Sequence, residues 1–355
     1  MKEGSIFQNV DDLIPQFIRP KMSIPQLVRS IGKTSFEARN LLRGAELFQK
    51  MIASGDTNWL GIAGAGIAGG MGGIVISLLK AGFIDIICST GAQVYHDLHF
   101  AFGLPVKAIY GQYDDNTLRA HGDVRIYDIG IREKETLKAQ DEKICQFIKD
   151  KYATLSQKNI SSWELNYHLG LWVKNNAPHP ERSFVVQAAH LGIPIFWDSL
   201  TNHSIAMNLT RLEHEGYPIR MSAQKDIFDS AAIVYASKKT GFLILGGGGP
   251  KNFIQQTGPT LNQIFHIHYE GADRGIQIGT AIEREGSLSG CTFGEAVTWG
   301  KYRSTDDQKL VHIWAEYSLV FPLLTAYVLD RCNKRKQKNW ISKLPESIQN
   351  LKKQL

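Results

Sequence analysis

The stretch GEAVTWGK, residues 294–301, places a glutamate, a tryptophan and a lysine within one short reach of chain. A lysine amine attacks a carbonyl or imine carbon only in its neutral form, and desolvation against an aromatic wall favours that form. Trp299 is placed to be that wall for Lys301. Glu295 is placed to anchor an ammonium group or to accept a proton. If the segment is helical as far as Trp299, Glu295 and Trp299 fall at i and i+4 on one face. Gly300 then ends the helix and Lys301 leaves it beside them. Spacing alone favours the plainer alternative, an ordinary lysine at a helix end.

Three other stretches carry candidate chemistry. In GIAGAGIAGGMGG (61–73), Gly64, Gly66 and Gly69 spell GxGxxG between an expected strand and an expected helix, as a dinucleotide site requires. The acid that should end the next strand is missing, since that strand closes Cys88-Ser89-Thr90-Gly91. Close packing explains those glycines equally well. In STGAQVYHDLHF (89–100), Ser89, Thr90, Gly91 and Ala92 would let backbone amides approach a phosphate. His96, Asp97 and His99 follow there, and His266 and His268 form an HxH. Neither set has a third ligand, so no metal is expected. In LGGGGPKNF (245–253), four glycines, a proline suited to the first helical turn and Lys251 make a second anion cradle or a bare turn.

These groups need a scaffold. With 355 residues and 43% hydrophobic content, the chain can bury a large core. Its 21% charged residues and 33 glycines suit a globular enzyme. Four cysteines without ligand spacing read as reduced thiols, and MKEGSIFQNVDD has no apolar signal region, so a cytoplasmic protein is expected. Trp59 to Leu79 carries no charge, but seven of its 21 residues are glycine, which argues against a membrane helix.

The net charge of +6 is local: residues 331–353 hold eight Lys/Arg and one acid. We read 331–355 as a solvated basic tail, with nucleic acid not expected as a partner. Apolar runs at 59–64, 84–90, 125–130, 193–197, 231–236, 241–247, 275–280 and 311–317 read as strands alternating with helices. That pattern predicts an α/β fold with a doubly wound, mostly parallel sheet and helices on both faces. Residues 1–54 read as a peripheral helical extension and 55–330 as the catalytic domain.

The run GADRGIQIGTAIEREGSLSGCTFGEAVTWGK, followed by AEYSLVFPLL, resembles the C-terminal half of deoxyhypusine synthase and its homospermidine-forming relatives. GFLILGGGGPK, IPIFWDSLT and the STGA turn fit the same pattern, and the resemblance covers roughly residues 55 to 330. It implies a Rossmann-like homotetramer that binds NAD between paired subunits and moves a four-carbon aminobutyl unit through an imine on a lysine. Carried onto this chain, Lys301 is the lysine, and Glu295 and Trp299 adjoin the substrate. The NAD contacts fall among Thr90, Gly91, Ala92, Asn202, Thr280, Ala281, Glu285, Ser289, Ala315 and Glu316.

The chain departs from the synthase pattern in the amine pocket. His96 stands for a glutamate, Asn202 and Met207 for aspartates, Asn252 for a histidine, Gln256 for an asparagine, Gln277 for a tyrosine and Leu288 for an aspartate. Ala63-Gly64-Ala65 replaces a Thr-Ser-Asn start, while Glu316 keeps the charge of an aspartate. A polycation among fewer carboxylates binds more weakly or in a shorter form. The expectation is therefore aminobutyl transfer between small polyamines, with His96, Asn252 and Gln256 in the rebuilt pocket. The alternatives are transfer to a lysine of a translation factor, a non-catalytic NAD-binding relative, and a Schiff-base lyase that needs no NAD.

Overall fold

The computed structural model describes residues 12–355. Nine strands run β1 (Thr57–Ile62), β2 (Ile86–Ser89), β3 (Val106–Ala108), β4 (Asp123–Ile126), β5 (Ile129–Arg132), β6 (Ile195–Trp197), β7 (Thr240–Leu245), β8 (Arg274–Ile278) and β9 (Leu310–Ile313). Six form one sheet in the order β6-β2-β1-β7-β8-β9, every neighbouring pair parallel. The chain winds outward one way from β1 to β6, returns to β7 beside β1, and winds outward the other way to β9. This is the doubly wound plan expected from the alternation of strands and helices.

Side chains alternate across the sheet, so each strand feeds two cores. Leu60, Ile62, Ile87, Leu243 and Leu245 face one apolar cluster with helices Glu37–Ala53, Gly72–Ala81 and Tyr317–Arg331. Trp59, Ile86, Phe242 and Ile244 face the other, with helices Ala223–Tyr235, Gly248–Gln255 and Trp340–Lys352.

Four expectations are corrected. The run at 231–236 is the end of helix Ala223–Tyr235, capped by Ser222, whose hydroxyl accepts from the Lys225 amide at 3.2 Å. The run at 125–130 bends at Tyr127, where φ is +50°, into the antiparallel pair β4–β5 of a separate three-stranded sheet. Helix Glu37–Ala53 is not peripheral: Leu41, Ala45, Phe48 and Met51 belong to the first core, and a Cβ at Gly44 would stand 2.8 Å from the Ile313 side chain on β9.

The basic tail, finally, is packed. Trp340, Leu344 and Leu351 join the second core. Arg335 binds Asp85 at 2.6 Å and the Asp56 and Gly82 carbonyls at 2.8 and 2.7 Å, and Lys338 binds the Asp56 carbonyl at 2.8 Å. Arg335 and Lys338 neutralise Asp85 at the amino end of β2, while the tail's other cations are exposed.

Candidate active site

Parallel strands put all their carboxyl ends on one edge, and the order of this sheet reverses between β1 and β7. The loops after these two strands therefore flank the crevice where open α/β sheets bind ligands. Both loops are glycine-rich, and they differ in what their amides do.

After β1, the Tyr317 hydroxyl accepts from the Gly66 amide at 2.9 Å and donates to the Ala63 carbonyl at 2.9 Å. The Gln93 side chain accepts from the Ile67 amide at 3.0 Å and donates to the Gly64 carbonyl at 2.7 Å. Two amides of the GxGxxG loop are thus taken from within, while those of Gly64 and Ala65 have no partner among the described residues. Its Gly66 is needed because a Cβ there would collide with the Tyr317 ring at 2.7 Å. After β7, Gly246, Gly247 and Gly248 hold φ of +76°, +152° and +56°, which glycine alone adopts readily. The Ser289 hydroxyl accepts from the Gly248 amide at 2.8 Å, while among the described residues the Gly247 and Gly249 amides have no partner. Helix Gly248–Gln255 starts here, so open donors and the positive end of a helix coincide. These residues fit a dinucleotide phosphate.

The lysine lies one helical turn away. Helix Phe293–Thr298 is capped by Thr292, whose hydroxyl accepts from the Glu295 amide at 3.1 Å. Gly300, at φ +70°, reverses the chain, and the Lys301 amide returns to the Ala296 carbonyl at 3.0 Å. Tyr302 then anchors the turn, fully buried with its hydroxyl accepting from Gln255 at 3.0 Å. Lys301 is left 9% exposed, its Nζ donating to Asn252 Oδ1 at 3.3 Å, and Asn252 Nδ2 donates to Gln256 Oε1 at 3.3 Å.

A cavity of about 660 Å³ opens over this chain of contacts, lined also by Glu283, Leu288, Cys291, Glu295 and Trp299. Two carboxylates, an amine and two apolar walls therefore face one space. That arrangement suits an alkyl chain ending in ammonium groups. Trp299 does not desolvate the lysine in a single chain, because it is 62% exposed. The burial of Lys301 comes from its own backbone turn.

Lys251 is the residue the sequence places wrongly. It is not offered to an anion but is 1% exposed, donating to the Cys291 carbonyl at 2.6 Å and the Ser289 carbonyl at 3.2 Å. Burial pushes its ammonium down to about 8, and the positive charge of Lys301 adds to the effect. Lys251 thereby pins the 283–291 loop, one wall of the lysine cavity, to the glycine turn. Gln277 holds the same loop, donating to the Ser289 carbonyl at 2.7 Å. Cys291, Glu283 and Gln263 line the cavity without having been singled out in the sequence. No periodicity or spacing marks them.

The other candidates scatter along the carboxyl edge. Thr90 caps helix Gly91–Phe102, which begins with Gly91 and Ala92, its hydroxyl accepting from the Gln93 amide at 3.2 Å. Gly91 packs on His203, next to exposed Asn202. Thr280, Ala281 and Glu285 lie in the loop after β8, and Trp314 donates to the Ala281 carbonyl at 3.2 Å. Ala315 and Glu316 follow β9. Partial burial opposes ionisation of Glu316, but hydrogen bonds from the Ser318 side chain and amide win, holding it below its ordinary value. Glu316 faces a second cavity of about 610 Å³ beside the first glycine loop.

His96 does not line the Lys301 cavity. It contacts His99 at 3.1 Å, and His99 contacts Gln140 at 2.8 Å. Burial lowers His96 and holds His99 neutral, down to about 3. Among the described residues no group of three His, Cys, Asp or Glu side chains is arranged to hold a metal ion, and no helix is long and apolar enough to cross a membrane.

Comparison with known proteins identifies the family and the fold. The sequence model of the family described as deoxyhypusine synthase matches residues 26–328. A "Deoxyhypusine synthase-like protein" of Thermosynechococcus vestitus is 32% identical over 351 residues, covering 96% of this chain and 86% of the relative. A "Probable deoxyhypusine synthase 2" of Methanosarcina acetivorans is 33% identical over 305 residues, covering 85% of each. Among solved structures, a protein from Entamoeba histolytica assigned as a deoxyhypusine synthase shares the fold at a TM-score of 0.59 and 19% identity, over 89% of this chain and 96% of that one. The family match begins inside the N-terminal helices, consistent with their place in the core. The chain belongs to the deoxyhypusine synthase family, a family of transferases.

Proposed function

We propose that the protein transfers an aminobutyl unit between small polyamines, with Lys301 as the covalent carrier and NAD as the cofactor. The observation that carries this reading is the lysine cavity: Lys301 hydrogen-bonded to Asn252, with Glu295, Glu283, Leu288 and Trp299 around it. When bound, NAD supplies a hydride acceptor for the carbon beside a polyamine nitrogen and returns the hydride to the product. Gly247, Gly249 and Ser289 would hold its phosphates, with Thr280, Ala281 and Glu285 nearby.

The roles of the chain's own residues follow from chemistry. Glu295 and Glu283 anchor the distal ammonium of a four-carbon amine, and Leu288 and Trp299 take its methylenes. Lys301 Nζ gives its lone pair to the oxidised, imine-bearing carbon. The bond from that carbon to the donor nitrogen breaks, that amine leaves with a proton, and the unit stays on Lys301 as a Schiff base. An acceptor amine then attacks the same carbon and frees Lys301. Asn252 Oδ1 accepts from the lysine and so orients its lone pair.

Leu288, where the family pattern carries an aspartate, leaves the cavity short of the carboxylates a long polycation needs. This favours putrescine as acceptor over a protein lysine, the acceptor that the synthase names of the relatives would suggest. A homotetramer with NAD between paired subunits accords with exposed Trp299 at the lysine cavity and exposed Trp314 and Leu319, apolar surface that a second copy would cover.

The test is a borohydride trap. The protein is incubated with NAD and either putrescine or spermidine, reduced and digested, and the Lys301 peptide is weighed. An NAD-dependent aminobutyl adduct, released by putrescine but not by a protein acceptor, is expected. NAD binding without any adduct would instead mark a non-catalytic relative.

A further inference from the structure

Dinucleotide-binding sheets end their second strand with an acid that accepts the ribose hydroxyls. Here β2 ends Cys88-Ser89-Thr90, and the position at which the family pattern carries an aspartate is Asn202. A carboxylate reaches this place from the neighbouring strand instead. β6 pairs with β2, Trp197 beside Ser89, and the next residue, Asp198, donates its amide to the Ser89 carbonyl at 3.2 Å. From there its side chain reaches the glycine turn after β7, where a Cβ on Gly249 would meet Asp198 Oδ2 at 1.9 Å. Asp198 therefore bridges the end of β2 and the open phosphate cradle.

The carboxylate is unsatisfied. Asp198 Oδ1 is buried without a hydrogen-bond partner among the described residues. No lysine or arginine lies within ion-pair distance of Asp198 among these residues. Burial pushes its carboxyl up to about 6 against the pull of nearby backbone amides, so near neutrality it is an anion. Two acceptor oxygens side by side match the two hydroxyls of a vicinal diol, and the same charge repels a phosphate.

We infer, on the dinucleotide reading above, that Asp198 grips the ribose diol of the cofactor and excludes dinucleotides carrying a 2′-phosphate. A carboxylate that merely complemented the positive end of helix Gly248–Gln255 would affect melting but not ligand choice.

The test is calorimetric titration of the wild-type protein, Asp198→Asn and Asp198→Ala with NAD+ and with NADP+, with melting curves alongside. Wild type should prefer NAD+ by about tenfold or more, and both variants should lose about ten- to a hundredfold in NAD+ affinity with little change toward NADP+. Because both ligands are measured on the same variant, a loss of stability cancels from their ratio. Discrimination that survives in the variants overturns this inference alone. Wild type that binds neither ligand defeats the dinucleotide reading itself, and this inference with it.

Discussion

The two glycine turns at the centre of the sheet look interchangeable as letters, and the one with the better motif has side chains from elsewhere folded onto its amides. GIAGAGIAGG after β1 spells the fingerprint, yet Tyr317 and Gln93 occupy the amides of Gly66, its middle glycine, and of Ile67. LGGGGPK after β7 spells nothing specific, yet it leaves the Gly247 and Gly249 amides open and stands next to the lysine cavity through Ser289 and Lys251. What separates them is which distant side chain folds back onto the turn. Tyr317 comes from 251 residues downstream of Gly66. A glycine motif is a permission for close approach, and tertiary structure decides who approaches.

Three variants bear on this contrast. The largest effect belongs to Lys301→Arg, which should lower transfer by about a thousandfold or more, because a guanidinium forms no imine. NAD affinity and melting should stay near wild type, since the turn after β7 is untouched. Turnover surviving in this variant would detach the chemistry from the cavity altogether.

Gly247→Ala comes next. Alanine at φ +152° costs about 1–3 kcal/mol, and its methyl would press on Ser289 at 2.7 Å. NAD+ affinity by titration should fall roughly tenfold, the equivalent of about 1.4 kcal/mol. An unchanged affinity would remove the β7 turn from the binding site.

The smallest effect should come from Tyr317→Phe. Loss of the hydroxyl strands the Gly66 amide and the Ala63 carbonyl and should cost about 1–3 kcal/mol of stability by denaturant titration. NAD+ affinity should change by less than about threefold, below 0.7 kcal/mol. If affinity collapses while stability holds, the roles of the two turns are reversed.

The contrast also marks where sequence reasoning works. Strands β1, β2 and β6 to β9 were legible because each is a short apolar run closed by glycine, serine or aspartate. Residues 231–236 misled because helix Ala223–Tyr235 is buried against the sheet and against helix Trp340–Lys352, and a helix apolar on both sides loses its period. The tail misled because eight basic residues outweigh three buried apolar ones in composition, while Asp85, the acid that Arg335 and Lys338 meet, lies far back in the chain. In the site, the short-range part was legible: Glu295, Trp299 and Lys301 do share a cavity. Asn252 and Gln256 could be placed there only through the family pattern, since 49 residues separate Asn252 from its lysine partner. Asp198 left no signal at all. An acid supplied by the neighbouring strand cannot be found by looking at the strand that lacks it.

The clasp formed by Arg335 and Lys338 imposes an order on events in the cell. Asp85 sits in the first βα unit to leave the ribosome, but its guanidinium partner is made 250 residues later. β1 must likewise wait for β7 before its second edge is paired. Until then, the Asp85 carboxylate at the amino end of β2 lacks its counter-charges, and one edge of the growing sheet stays open to any strand that meets it. A nascent chain of this protein therefore cannot complete the centre of its sheet until β7 and, later, the Arg335–Lys338 clasp have been made.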